Sequence, residues 1–204
     1  MIRYLQAHEL SLFPALADGM FRDRAAQFRD RLKWDVTVDA EGRERDQYDT
    51  DAALYVIWEG ADGRHGGSMR FLPTTGATMV NDHFLHLTDG VRIASPHIWE
   101  CTRFCLAPGA GGRAAAALML GGLELGLRFG LSHAVGVFDA PMLRVYRGLG
   151  WSPAVLGTGA GVSAGLWAFE PDLRSGLCRK AEVSAELSDW WVRRAFGDAL
   201  RLAG

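Results

Sequence analysis

The chain has 204 residues, of which 49% are hydrophobic and 23% are charged. This balance is typical of one globular domain with a sizeable core, and it argues against a disordered or fibrous chain. A formal charge of -2 offers no general attraction for polyanions, so we expect no nucleic-acid partner.

Cysteine usage and apolar patterning bear on location. The three cysteines lack a CxxC spacing, so they indicate neither a disulfide framework nor a zinc site, and they favour a reducing, cytoplasmic location. Polar residues interrupt the apolar stretch at the start, so we expect no signal peptide. The longest apolar region, residues 106–127, is rich in glycine and carries Arg113 and Glu124, so we expect no membrane insertion.

The first predicted element is a helix. Apolar side chains recur at helical spacing between residues 9 and 33, which predicts an amphipathic helix that ends at Trp34 and breaks near Pro14 or Gly19. Residues 35–51 are polar and acidic, and this predicts a loop too long to be a mere connector. Long ordered loops often carry function.

Strands and a glycine-rich loop follow. Three short apolar runs predict an antiparallel meander, at residues 53–58, 67–72 and 98–106. A glycine-rich loop at 108–112 then leads into an alanine-rich helix at 113–129. Free backbone N–H groups in such a loop suit a phosphate or an amide chain.

The last third of the chain continues the alternation of strands and helices. We predict a strand at residues 134–138, a helix from about 139–141 to Leu149, and a strand at 166–169. An amphipathic helix at about 184–202 closes the chain and is expected to pack on the body, a partner-binding face being the alternative. No internal boundary is evident, so we predict a single domain over residues 1–204.

Five motifs occur in order along the first half of the chain. They are RxxxFxxxxxW (residues 24–34), DQYD (46–49), MRFLPT (69–74), NDHF (81–84) and WECTRF (99–104). Together they resemble the LuxI-type autoinducer synthases, the acyl-homoserine lactone synthases, closely over residues 1–105 and more loosely to Trp151. One departure is Cys101-Thr102, where many members carry Leu-Ser, and we expect little effect on the chemistry.

The resemblance implies both a fold and an activity. The fold would be α/β (α+β), like that of the GNAT N-acyltransferases, with a single twisted mixed sheet flanked by helices. The activity would be that of an acyltransferase of quorum sensing that joins an acyl thioester, carried by acyl carrier protein or coenzyme A (CoA), to S-adenosylmethionine and releases methylthioadenosine. S-adenosylmethionine is then a co-substrate, so we expect no cofactor. We also expect no metal site, because the six histidines are dispersed.

The matching positions imply a set of site residues. The residues assigned to catalysis are Glu100, Arg103, Asp46 and Asp49. The residues assigned to S-adenosylmethionine are Arg24, Phe28, Trp34, Arg70 and Phe84. For the acyl chain and phosphopantetheine we expect Phe104, Leu106, Gly111, Gly112, Arg113, Gly136 and Phe138.

The role expected of Glu100 is that of a general base. An amine that attacks a thioester must lose a proton, and a partly buried carboxylate can accept it directly or through water. Strand alternation, however, sends Glu100 and Arg103 to opposite faces of the strand. We therefore predict a bulge or a twist at the end of the strand between them. Outside this motif, a glutamate in a strand is ordinarily a surface residue.

The charged loop and the arginines each have an ordinary alternative. Asp46 and Asp49 could hold the ammonium of S-adenosylmethionine, with Trp34 stacking on a cationic centre, or they could form a solvated turn. Arg24 lies in a run of charges that is typical of a solvated helix face. Arg70 is flanked by apolar residues, so it requires a buried partner, either a carboxylate of the acidic loop or the substrate. Phe28, Trp34 and Phe84 would ordinarily be core residues.

The acyl pocket is expected between the second half of the sheet and the helix at 113–129. Small residues on that helix would leave room, which favours a medium or long chain over acetyl. Family members that make 3-oxo signals often carry Thr on the strand corresponding to residues 135–138. This strand offers no hydroxyl, so the resemblance favours an unsubstituted or 3-hydroxy chain. Two alternatives stay open: a GNAT-type N-acetyltransferase using acetyl-CoA, and a non-catalytic S-adenosylmethionine or acyl-carrier binding module. Release of methylthioadenosine would separate the synthase from the acetyltransferase, and thermal stabilisation by the ligand without product would favour the binding module.

Overall fold

A computed structural model describes residues 1–197, and a seven-stranded mixed sheet forms its centre. The strands are β1 (Ile2–Gln6), β2 (Leu54–Glu59), β3 (His65–Pro73), β4 (Ile98–Leu106), β5 (His133–Asp139), β6 (Ala154–Gly159) and β7 (Val162–Ala168). Their order across the sheet is β1-β2-β3-β4-β5-β7-β6. Neighbouring strands are antiparallel except β4 and β5, which are parallel.

Helices flank the sheet, as the predicted fold class requires. They are α1 (Pro14–Ala25), α2 (Met79–His83), α3 (Gly112–Arg128), α4 (Met142–Leu149), α5 (Leu173–Ala181) and α6 (Ala185–Phe196). A 3₁₀ segment (Ala7–Leu12) precedes α1 and a π-helical segment (Ala26–Arg31) follows it. The predicted break near Pro14 is confirmed, because proline lacks the N–H of a helix interior and begins α1.

Two buried layers hold the sheet between helices. Strand β2 is a continuous apolar run whose alternate side chains enter both layers. Leu54 and Val56 pack toward α3, while Tyr55 and Ile57 pack toward α1. A strand covered on both faces has this continuous pattern rather than polar alternation.

The predicted meander is confirmed as β2, β3 and β4, but other elements were missed. Strands β1 and β6 are absent from the predicted order, as are the short helices α2 and α5. In β6 only Ala154 to Leu156 are apolar before Gly-Thr-Gly, so the apolar run is too short to predict a strand. The long loop at 35–51 is confirmed, with only an isolated bridge between Val38 and Glu44. The predicted C-terminal helix ends at Phe196, and its residues 198–202 lie outside the described residues.

No helix within residues 1–197 has the length and apolar character needed to cross a membrane.

The parallel strands at the centre of the sheet separate along their length. β4 and β5 pair at only three positions, the last being Glu100 with Val135, although both strands continue beyond it. The sheet therefore opens after Glu100. This gap positions the candidate site.

Candidate active site

The bulge predicted between Glu100 and Arg103 is present. Ser68 pairs with Cys105, but Arg70 pairs with Thr102, so two steps along β3 face three steps along β4. Arg103 has a positive φ of 55°, a conformation that usually favours glycine. The extra residue turns Arg103 to the side of the strand that carries Glu100.

A cavity of about 480 Å³ lies on that side of the sheet. Two predicted acyl-binding residues, Phe104 and Phe138, line it. The five residues predicted for catalysis or S-adenosylmethionine that also line it are Phe28, Trp34, Phe84, Glu100 and Arg103. Phe28 and Trp34 stack with ring centroids 5.2 Å apart and planes 18° apart. Trp34 is 37% exposed, whereas Phe28 is buried, so the stacked pair presents the indole to the cavity edge.

Glu100 is buried and held by the backbone of α2. Its Oε2 accepts a hydrogen bond of 3.0 Å from the Met79 N–H, and its Oε1 accepts one of 2.6 Å from the Val80 N–H. Burial raises the pKa of Glu100 to about 7, although these two hydrogen bonds act in the opposite direction. A carboxyl group with this pKa exchanges protons near neutral pH.

Three arginines and three carboxylates interlock behind the cavity wall, and we call them the ion-pair network. Its members are Arg24, Arg70, Arg103, Glu44, Asp46 and Asp49. All six side chains are at least 89% buried. Equal numbers of opposite charges make the burial tolerable, since each charge has partners.

Arg24 joins helix α1 to the loop. Its Nε lies 2.5 Å from Glu44 Oε2, and its two terminal nitrogens lie 2.8 and 2.9 Å from the oxygens of Asp49. Burial opposes ionisation of Asp49, but the hydrogen bonds and charge of Arg24 outweigh it and hold the pKa of Asp49 well below its ordinary value. The solvated helix face considered for Arg24 is therefore wrong.

Arg70 and Arg103 complete the network. Arg70 donates to Asp46 at 2.6 and 3.0 Å and to Asp49 at 2.7 Å, so its predicted carboxylate partner is confirmed. Arg103 lies 2.8 Å from both Glu44 and Asp46. Burial disfavours the charged form of Asp46, yet Arg70 lowers its pKa below the ordinary value.

The network departs from the sequence-based assignment in one respect. Arg24, Arg70, Asp46 and Asp49 do not line the cavity. Their side chains contact one another and the wall residue Arg103, so the structure directs Asp46 and Asp49 toward arginines rather than toward an open binding space. The solvated turn considered for these aspartates is also wrong, because both are buried.

A smaller apolar cavity of about 60 Å³ lies between the sheet and α3, where the acyl pocket was expected. It shares five lining residues with the larger cavity: Thr102, Arg103, Phe104, Val137 and Tyr146. The four on β4 and β5 lie beyond the point where these strands separate, and Tyr146 packs against Phe104 from α4. The two cavities therefore meet at the gap in the sheet. The predicted residue Gly136 lines the smaller one.

A groove of about 660 Å³ runs outward from the larger cavity. It is lined by the first part of the glycine-rich loop with Leu106, Pro108 and Gly109, by α4 with the residues before it, and by the end of α1 with the π-helical segment. Phe104 and Met142 line both spaces.

The rest of the glycine-rich loop lies elsewhere. Arg113 Nε donates to the Ala181 carbonyl at 3.1 Å, and its guanidinium lies 3.3 Å from Glu182, so it points to the end of α5. Gly111 and Gly112 face open space and do not line the groove. The expectation that these three residues hold the thioester is therefore not supported by their placement, because the first turn of α3 directs Arg113 across to α5.

Two residues escaped the sequence analysis. Glu44 bridges Arg24 and Arg103, and its position in the same acidic loop as Asp46 and Asp49 was the available signal. Tyr146 is buried, lines both cavities, and makes no side-chain hydrogen bond within residues 1–197. One tyrosine on a short helix carries no such signal in the sequence.

Comparisons with known proteins agree on one family. The family model described as autoinducer synthase matches residues 9–166. An acyl-homoserine-lactone synthase of Rhizobium etli is 42% identical over 200 residues, covering 91% of this chain and 94% of that relative. Another, from Agrobacterium fabrum (strain C58), is 33% identical over 147 residues, covering 68% of this chain and 69% of that relative.

Solved structures show the same fold. The CoA-dependent acyl-homoserine lactone synthase BjaI, with SAM and isopentyl-CoA, has a TM-score of 0.81 at 23% identity, covering 91% of this chain and 90% of that chain. An acyl-CoA N-acyltransferase from Pseudomonas aeruginosa has a TM-score of 0.55 at 15% identity, covering 82% and 98%. The predicted GNAT-like fold class is confirmed.

Proposed function

The chain belongs to the autoinducer synthase family, and from that premise we propose how its connected cavities serve the reaction. It is an acyl-homoserine lactone synthase, an acyltransferase of quorum sensing that uses S-adenosylmethionine and an acyl thioester and releases methylthioadenosine. The relatives favour this activity over acetyl transfer and over a non-catalytic binding module.

One observation carries the assignment of residues to the steps of this reaction. The bulge in β4 brings Glu100 and Arg103 to one wall of the larger cavity, and the gap beside them leads into the smaller, apolar one. We assign the larger cavity to S-adenosylmethionine and the smaller to the acyl chain. The thioester then lies where the two meet, beside the proposed base. A volume of about 480 Å³ is in the ordinary range for a pocket that holds a small molecule.

Aromatic residues and Arg103 provide the proposed contacts to S-adenosylmethionine. The exposed indole of Trp34, backed by Phe28, can stack on the sulfonium, and Phe84 closes the same cavity. Arg103 can bind the methionyl carboxylate through charge-assisted hydrogen bonds. Glu44 holds that guanidinium in place from behind.

The remaining members of the ion-pair network are proposed as positioning residues. Asp46 touches Arg103 directly, whereas Arg24, Arg70 and Asp49 act through Glu44 and Asp46. This differs from direct recognition of the substrate ammonium. Their arrangement orients Arg103 before the substrate arrives, which lowers the cost of ordering it during binding.

The proposed first step forms the amide. Glu100 accepts a proton from the ammonium of S-adenosylmethionine, directly or through water, and the amine nitrogen attacks the thioester carbonyl carbon. The carbon–sulfur bond of the thioester breaks and the thiol leaves. The Tyr146 hydroxyl, on the shared wall of the two cavities, is the proposed hydrogen-bond donor to the carbonyl oxygen as it gains charge.

The proposed second step closes the lactone. A carboxylate oxygen of the methionyl group attacks its own γ-carbon, the bond from that carbon to sulfur breaks, and methylthioadenosine leaves as a neutral thioether. The sulfonium is a good leaving group, so this step needs mainly positioning. The proposed chemistry requires no separate cofactor.

The groove beside Pro108 and Gly109 is the proposed path of the phosphopantetheine arm. Acyl carrier protein and CoA share this arm, so the groove supports either donor, and a product assay with both separates them. The three free cysteines support a reducing, cytoplasmic location.

The test is a product assay on the purified chain with S-adenosylmethionine and matched acyl-CoA and acyl-carrier-protein thioesters, read by mass spectrometry. We expect methylthioadenosine and acyl-homoserine lactone in equal amounts. Acylated amine without methylthioadenosine would identify a plain acyltransferase. Detection of neither product would favour the non-catalytic binding module. The donor class with the higher kcat/KM identifies the natural carrier.

A further inference from the structure

The walls of the smaller cavity define how far an acyl chain can extend. Residues that do not also line the larger cavity form its deep end, and the bulkiest of these are Met69, Phe71, Met119, Trp151 and Trp167. The open mouth is the shared wall at the gap in the sheet. A chain that enters from the thioester must therefore stop against this closed end.

Aromatic packing keeps that end rigid. The Trp167 ring contacts Tyr146 with centroids 5.0 Å apart at 82°, and Phe138 at 5.4 Å and 73°. Trp151 Nε1 donates to the Ala168 carbonyl at 2.9 Å. Edge-to-face contacts and a buried hydrogen bond both resist rotation of these rings. The aromatic walls therefore cannot retreat readily from a longer chain.

Of the small residues on α3, Gly122 lines the cavity and Gly121 does not, so they open less space than the expectation of a medium or long chain requires. A methyl group added at Gly122 would lie 3.0 Å from Met69 Cε and 3.3 Å from Phe71 Cζ. At Gly121 it would lie 2.7 Å from Val56 Cγ1. Both glycines let α3 approach the sheet closely; strand side chains fill the space beside Gly121 and bound the cavity beside Gly122.

The volume of the smaller cavity limits the length of the acyl chain. The cavity measures about 60 Å³, against about 480 Å³ for the larger cavity, so it has room for only a short acyl chain. We propose that this synthase prefers short acyl thioesters to long ones, and that Met119 is the wall residue limiting longer chains. This inference rests on the proposed assignment of the smaller cavity to the acyl chain.

Met119 is singled out because it is buried, lies on α3 and lines only the deep end. Its flexible thioether can be shortened without removing an aromatic wall. Met119→Ala deletes three side-chain atoms beyond Cβ, which makes room for about two or three further carbons. Leu123 is the matched control, since it is also buried on α3 but lines neither cavity.

The experiment compares butanoyl, hexanoyl, octanoyl and decanoyl thioesters by kcat/KM for methylthioadenosine release. For the unaltered chain we expect butanoyl or hexanoyl to exceed octanoyl by about tenfold or more. Met119→Ala should raise the octanoyl-to-butanoyl ratio by about tenfold, and Leu123→Ala should leave that ratio unchanged. A ratio within one variant does not depend on how much of it is folded.

Each contrary result would overturn a different claim. Octanoyl or decanoyl as the best substrate of the unaltered chain would overturn the short-chain inference while leaving the proposed function intact. A short-chain preference that Met119→Ala does not alter would overturn the role of Met119. Absence of methylthioadenosine with every thioester would overturn the proposed function and the inference with it.

Discussion

Buried carboxylates in this protein divide into two classes according to their neighbours. Asp46 and Asp49 face arginines, so their pKa values fall below the ordinary range despite burial. Glu100 faces backbone N–H groups and has no arginine within hydrogen-bond distance among residues 1–197, so burial dominates and raises its pKa to about 7. Of these three carboxylates, only Glu100 can therefore change protonation state near neutral pH.

The pKa of Glu100 predicts the acid side of the pH profile. A general base must be ionised, so kcat/KM should be level above pH 7 and fall about tenfold per pH unit below it. Glu100→Gln should reduce kcat by about 10²–10⁴-fold and abolish this acid limb. Steady-state kinetics from pH 5 to pH 9 provide the measurement.

The control for this prediction is another carboxylate of the same cavity. Asp35 lines the cavity but is exposed, so Asp35→Asn should keep the acid limb near pH 7. Glu100 also holds the Met79 and Val80 N–H groups, so thermal unfolding of Glu100→Gln is needed to separate loss of structure from loss of a base. An acid limb that persists in a folded Glu100→Gln protein would exclude Glu100 as the base.

At the scale of elements, the glycines of α3 determine how closely this helix lies on its neighbours. Gly126 is buried, and a methyl group added there would lie 2.2–2.5 Å from ring atoms of Phe169. Gly148 on α4 is exposed, and nothing among the described residues lies within 4 Å of the same added group. The two helical glycines therefore have opposite structural roles.

This contrast predicts opposite effects of the same substitution. Gly126→Ala should lower the free energy of unfolding by about 1–3 kcal/mol, because the ring of Phe169 must shift within a packed core. Gly148→Ala should raise it by about 0.5–1 kcal/mol, because alanine favours the helix. Urea denaturation of the two variants measures both. Equal changes in the free energy of unfolding for the two variants would mean that α3 can move away from the sheet at no cost.

At the scale of the whole molecule, the ion-pair network joins parts of the chain that are distant in sequence. It connects α1 through Arg24, the acidic loop through its three carboxylates, and strands β3 and β4 through Arg70 and Arg103. The loop has little regular structure of its own, so these contacts order it. Stability and the geometry of the cavity wall thereby depend on the same residues.

Glu44 is the member whose loss exposes this dependence. Glu44→Ala leaves the buried Arg24 and Arg103 each short of a partner, so the free energy of unfolding should fall by about 3–5 kcal/mol. Asp18→Ala removes exposed pairs with Arg22 and Arg43 and should leave the denaturation midpoint unchanged. Guanidinium unfolding of both variants tests this, and matching midpoints would show that the network does not stabilise the fold.

The aspartates of the network add a dependence on pH in the same experiment. Their folded-state pKa values lie below the unfolded value of 3.8, so their contribution is complete above pH 3.8 and disappears as the pH falls through the lowered values. Loss of the network's stabilisation already at pH 6 would contradict this.

The sequence by itself determined the family, the reaction and most of the elements. Motifs such as WECTRF and DQYD occur in a defined order, and apolar periodicity located the meander, α3 and α4. Patterns of this kind depend only on residues that are close in the sequence, so they can be recognised without the structure. Short elements such as β6 and α2 contain apolar runs of only two or three residues, too few to show a period, and were missed.

Only the tertiary structure decided how those residues meet. The pairing of Arg70 with Thr102 revealed the bulge that turns Arg103 toward Glu100. Because these partners lie on separate strands, the pairing becomes visible only once the strands are placed side by side. The space beside Gly122 depends on Met69 and Phe71, which approach it from another element. Side-chain partners, pKa shifts and cavity volume arise from contacts between distant segments, so the residue types alone could not specify them.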